Sequence, residues 1–146
     1  MKNITFKKPF AFLLFIFAFQ FVFACNGIGE AVEFEIWSDN GSLPPPYQHE
    51  QVIRGKINPN SVIINFRDRK GENEVKRTFE LTGEDYKRCV EIIRNTDLEK
   101  KVFSAGGSSF DVTLIDRAGK NQMGVPSNRG EWAEFARKIE QMADVK

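Results

Sequence analysis

Three stretches of this chain alternate apolar and polar residues with a period of two, and that period constrains the fold more than any other feature. In residues 31–38, Val32, Phe34 and Ile36 fall on one side and Glu33, Glu35 and Trp37 on the other. Residues 61–69 set Val62, Ile64 and Phe66 against Ile63, Asn65 and Arg67, and residues 109–116 set Phe110, Val112 and Leu114 against Asp111, Thr113 and Ile115. Successive side chains of a strand point to opposite faces, so each stretch predicts a strand packed on one side and wet on the other. Strands of parallel sheets are covered on both faces and read as continuous apolar runs. The pattern here therefore calls for an antiparallel sheet with one packed face.

Further strands fit between these. Residues 51–57 carry Val52, Ile53 and Ile57, with Gly55 a candidate bulge. Residues 74–81 return from a hairpin tip at Lys70-Gly71-Glu72-Asn73, with Val75, Phe79 and Leu81 inward and Arg77 at the sheet margin. Residues 121–125 pair back onto 109–116, with Met123 and Val125 inward, and Pro126 ends that strand. Residues 98–103 are an ambiguous link. The proline stretch Pro44-Pro45-Pro46 predicts an extended connector.

Two segments switch to helical spacing. Tyr86, Cys89, Val90 and Ile93 form one apolar stripe after Thr82-Gly83-Glu84-Asp85, where Thr82 is placed to cap and Asp85 to complete a capping box. Trp132, Phe135, Ala136, Ile139 and Ala143 form a second, widened by Met142, with Asn128 as cap and Glu131 three residues on. The order ββββαββα predicts a two-layer α+β domain: an antiparallel sheet of about six strands with two amphipathic helices on one face. It occupies residues 31–146 as a single domain.

The start of the chain has a different character. Lys2, Lys7 and Lys8 precede an apolar run from Phe10 to Ala24 broken only by Gln20. The run is too short to span a bilayer comfortably, and a basic start followed by a short apolar core reads as a secretory signal peptide over residues 1–24. Val22-Phe23-Ala24-Cys25 resembles the lipobox of bacterial lipoproteins. The resemblance covers only the signal and Cys25. It implies cleavage before Cys25, acylation of Cys25, and a lipid-anchored location in the cell envelope, with residues 25–30 as a flexible tether. Val22 and Ala24 also satisfy the small-x-small rule, so cleavage after Ala24 to give a soluble periplasmic or secreted protein is the alternative. The mature layout is similar to that of many small bacterial lipoproteins without assigned function.

The formal net charge of +1 includes the three signal lysines, and no acid precedes Glu30, so the exported part is slightly acidic. A near-neutral domain with interspersed charges carries no footprint for nucleic acid. Two cysteines supply no disulfide framework, and Cys89 lies on a helix stripe as a small core hydrophobe. His49 is the only histidine; Glu50 beside it points to the opposite side of an extended chain, a poor dyad. One His and one core Cys do not make a zinc site. No catalytic residue, metal or cofactor is expected.

What remains is a contact surface. Trp37, Ile63 and Ile115 fall on the outward parity of their strands, and if close together they form an apolar patch where the sheet should be wet. The reading is a membrane-anchored, non-enzymatic binding or accessory module. Its partner is the membrane, through Cys25, and an envelope protein or apolar ligand on this patch. The alternative is a hydrolase using carboxylates assembled by the fold.

Overall fold

A computed structural model of the 146-residue chain describes residues 31–41, 43–100 and 109–144. Cys25, the 25–30 tether and the end of the 98–103 link lie outside the described residues. Seven strands and two helices follow one another: β1 (Ala31–Asp39), β2 (His49–Ile57), β3 (Val62–Lys70), β4 (Asn73–Leu81), α1 (Gly83–Arg94), β5 (Leu98–Glu99), β6 (Ser109–Asp116), β7 (Asn121–Pro126) and α2 (Arg129–Asp144). The strands form one sheet in the order β4-β3-β2-β1-β6-β7-β5, with antiparallel neighbours throughout. The fold is α+β, a multi-stranded antiparallel sheet with two helices packed against it. The seventh strand, β5, comes from the start of the link that the sequence left ambiguous.

The packed face is made by the inward parity of each strand. Ile36, Ile53 and Phe66 lie side by side on β1, β2 and β3, and Val112 flanks Ile36 from β6. In the next row Phe34 is flanked by Gly55 and Leu114, and Ile64 lies beyond Gly55. Onto these rows α2 lowers Trp132, Phe135, Ala136, Ile139 and Ala143, and α1 lowers Cys89 and Ile92. Phe34, Trp132 and Phe135 form an aromatic triad with ring centroids 5.6, 6.0 and 6.2 Å apart, tilted or edge-on as the ring quadrupoles prefer.

Gly55 is in regular register and is not a bulge. A Cβ there would lie 2.1 Å from Cε1 of Phe34, so the glycine makes room for that ring. The register irregularity falls instead between Ala31 and Glu33, where β1 meets β6.

One polar knot is buried in this core. Thr96, just past α1, donates its hydroxyl to the carbonyl of Ile92 (2.6 Å) and accepts from the indole Nε1–H of Trp132 (2.8 Å). The side-chain amide of Asn128 donates to the same Ile92 carbonyl (3.2 Å) and to Glu131 (3.0 Å). Asn128 thus occupies the cap position of α2, its carbonyl accepting from the backbone of Glu131 and Trp132, while its side chain ties the end of α1 to the start of α2. Among the described residues no buried side-chain polar atom lacks a partner.

Several expectations are corrected. In β7 the inward residues are Gly124 and Pro126, whereas Met123 is 66% exposed. The hairpin register pairs Val112 with Gly124 and Thr113 with Met123, which sends Met123 and Val125 to the outward parity. Gly124 is required inside, because a Cβ there would lie 2.2 Å from the carbonyl oxygen of Glu99 on β5. Pro126 belongs to β7, facing Leu98. Val75 keeps its inward parity but is exposed, since it sits beside Asp68 on the outermost strand, beyond the apolar rows. Met142 is exposed, and the α1 stripe centres on Cys89 and Ile92, with Tyr86 and Ile93 partly buried around it. Thr82 holds the cap position without a side-chain cap bond, and Asp85 pairs with Lys138 of α2. The proline stretch is not extended throughout: Pro45–Tyr47 form a turn of 3-10 helix, which a proline φ near −65° permits.

Candidate functional site

The outward face of the sheet holds the three residues singled out as a contact. Trp37 is flanked by Val52 of β2 and Asp111 of β6, with Arg67 and Lys76 continuing the row across β3 and β4. Ile63 and Ile115 share a different row, with Lys56 and Glu33 between them. The rows are four residues apart along the strands, about 14 Å, and Ile63 and Ile115 are three strand spacings apart, also about 14 Å. The fold therefore brings all three onto one face but does not join them into a continuous apolar patch. Trp37 is half-buried, Ile115 is half-buried and Ile63 is exposed. Among the described residues the apolar cross-strand partner of Trp37 is Val52, 4% exposed although it lies on the outward parity.

Charged side chains pattern the rest of this face. Glu50 accepts from both Arg67 and Arg69, the latter at 2.9 Å. Glu74 takes Lys76 at 2.7 Å and Arg67 at 3.8 Å, and Glu35 takes Arg54 at 2.5 Å. Lys76, with help from Arg67 and Arg69, holds the Glu74 carboxyl below its ordinary range. Exposed pairs of this kind stabilise little individually. Together they form a network of opposite-charge pairs across β1 to β4, and Trp37 is the large aromatic side chain on the same face.

A second cluster sits on the packed face, past the end of the apolar rows. Nε2 of His49 lies 2.5 Å from Oδ1 of Asp68, and Nζ of Lys70 lies 3.2 Å from Oδ2. Glu140 of α2 approaches the same ammonium at 3.9 Å. Asp68 above all, then Glu140 and Asp144, raises the Lys70 ammonium above its usual range. Asp68 is 8% exposed, and Gln51, its neighbour on β2, is equally buried. Asn40 steadies the approach: its side chain accepts from the backbone N–H of His49 (2.8 Å) and donates to the carbonyl of Tyr47 (2.7 Å).

The partner of His49 is thus Asp68 and not its neighbour Glu50, which faces the other way in the network with Arg67. A carboxylate–imidazole pair can hold or pass a proton. Among the described residues, however, no hydroxyl or thiol is hydrogen-bonded to the ring. Nor does any group of three or more His, Cys, Asp and Glu side chains form a metal-binding arrangement among them. The sequence did carry a signal for this pair. Counting outward from the Asn58–Ser61 turn, Ile57 opposite Val62 fixes Gln51 opposite Asp68 and His49 opposite Lys70.

Cys89 is buried at 1% exposure, and burial pushes its thiol up to about 12, the signature of a packing residue and not of a nucleophile.

The fold and its outward face define an α+β domain whose sheet surface carries a network of ion pairs. Compared with protein-family models, curated proteins and solved structures, the chain matches none.

Proposed function

We propose that this chain is an exported cell-envelope lipoprotein, anchored through Cys25, whose α+β domain serves as a non-enzymatic binding or accessory module. The observation that carries the reading is the start of the sequence: three lysines, a short apolar run, and Val22-Phe23-Ala24-Cys25 at its end. Acyl chains on one cysteine give durable anchoring once more than one chain is attached. Among the described residues no helix is long and apolar enough to cross a membrane. The binding half of the proposal draws on the outward face. There Trp37, beside Val52 in the register, supplies an aromatic anchor, the ion pairs supply a polar surround, and Ile63 and Ile115 are outlying contacts at the other end of the strands.

The test is metabolic labelling with a clickable fatty acid. The wild-type chain takes up label and Cys25→Ala does not. Equal labelling of the two, or none of either, overturns the lipid anchor.

A further inference from the structure

β4 is the outermost strand of the sheet, and among the described residues nothing pairs with its free side. Natural sheets blunt such an edge by making it short, bulged, proline-bearing or charged. The opposite edge follows that rule, since β5 has only two residues. β4 is long, running for nine residues in unbroken register with β3 without a proline, and its charges are of both signs, Glu74, Lys76, Arg77 and Glu80, so a partner edge of matching pattern can pair with them instead of being repelled.

A second copy approaching this edge about a two-fold axis normal to the sheet pairs β4 antiparallel with itself, and facing residues must then share a parity. Thr78 at the axis sets Lys76 opposite Glu80 on the outward face, twice by symmetry. On the inward face it sets Arg77 opposite Phe79 and Val75 opposite Leu81. Lys76–Glu80 is an opposite-charge cross-strand pair, and a guanidinium beside a half-exposed ring gains a cation–π contact. Shifting the axis to Arg77 opposes Arg77 to itself and Glu74 to Glu80. Shifting it to Lys76 opposes two lysines. Shifting it to Phe79 leaves only a short overlap before Gly83 opens α1.

We infer that β4 is a self-association edge, through which two copies of this chain join their sheets with Thr78 on the two-fold axis. This goes beyond the proposed anchor and does not depend on it. The contact is short, well below the roughly 1,200 Å² of stable complexes, so the association is weak and concentration-dependent.

The experiment is sedimentation of the full chain in detergent over a wide concentration range, with charge reversals. Wild type passes from monomer to dimer. Lys76→Glu and Glu80→Lys each oppose like charges at two symmetric positions and weaken the dimer by about tenfold or more, and the double reversal restores it. Circular dichroism confirms that each variant is folded. Independently, Thr78→Cys forms a covalent dimer under mild oxidation, whereas Glu74→Cys, about 27 Å from its symmetry mate, stays at the level of the parent chain with Cys25 and Cys89. A strict monomer at every concentration would mean that Lys76 and Arg77 only guard the edge. A dimer indifferent to both single reversals would place the interface elsewhere. Either result overturns the inference.

Discussion

Replacing Thr96 by valine tests the buried knot on which the two helices meet. Valine keeps the shape of threonine, so the change removes hydroxyl chemistry and almost nothing else. The indole N–H of Trp132, in a ring with 0% exposure, loses its acceptor at 2.8 Å. An orphaned buried donor costs about 1–3 kcal/mol. The hydroxyl also donates to the carbonyl of Ile92, but that carbonyl keeps the Asn128 amide at 3.2 Å, so this second loss is the smaller one. The expected total is about 2–3 kcal/mol, equivalent to a melting point lower by roughly 8–12 °C for a domain of this size. Urea unfolding followed by far-UV circular dichroism measures it without using tryptophan emission. Thr96→Ser, which keeps the hydroxyl, should cost about 1 kcal/mol or less. In the Thr96→Val, Trp132→Phe double variant the orphaned donor is gone, so the two losses fall short of additivity by about 1 kcal/mol or more. If valine costs under about 0.5 kcal/mol, or if serine and valine cost the same, the hydroxyl is not the group that joins the helices.

Gly55→Ala drives a Cβ into the ring of Phe34 and should destabilise by about 1–3 kcal/mol, with Phe34→Leu in the same chain recovering part of the loss; an unchanged urea midpoint contradicts the close packing. The Cys89 thiol, pushed up to about 12 by burial, should resist an aromatic disulfide reagent at pH 8 in the native chain and react fully in urea; rapid native labelling would place it at the surface. Acrylamide should quench only the Trp37 part of the emission, because Trp132 is fully buried, and Trp37→Phe should leave a signal that resists quenching. If Trp37 itself resists the quencher in the isolated chain, it is no open contact.

How much of this was legible from the residues depended on whether letters or register carried the information. β1, β3 and β6 were readable because apolar residues stand on the packed parity in each, and the α2 stripe because five core residues recur at helical spacing. β7 misled because its apolar letters, Met123 and Val125, face outward, while its packed position is a glycine whose role comes from the β5 backbone lying against it. Gly55 misled for a related reason: an empty side chain looks like a defect until the ring that fills the space is known. The outward trio illustrates a third kind of failure. Parity placed Trp37, Ile63 and Ile115 on one face, but only the cross-strand register could show that the row of Glu35 and Arg54 separates Trp37 from the isoleucines and that Lys56 and Glu33 separate these from each other. The His49–Asp68 pair follows from the register set by the Asn58–Ser61 turn, because the partner of His49 lies across the hairpin and not next to it in sequence.

β1 stands at the middle of the sheet although it is the first of the described strands. One of its ladders, to β2, can close as soon as the next strand exists. The other joins Ile36 to Val112, and nearly everything between must be made before it can form. Pairings this distant in sequence are slow to form, because loop closure precedes any gain from contact. A β1–β4 meander formed ahead of the rest has Phe34 and Ile36 uncovered and one side of β1 open. Its closure awaits β6 on the flank and Trp132 and Phe135 above. A truncation before β6 leaves a meander with an open apolar face and a second unpaired edge along β1, whereas one before α2 keeps the β1–β6 ladder and uncovers the apolar face alone.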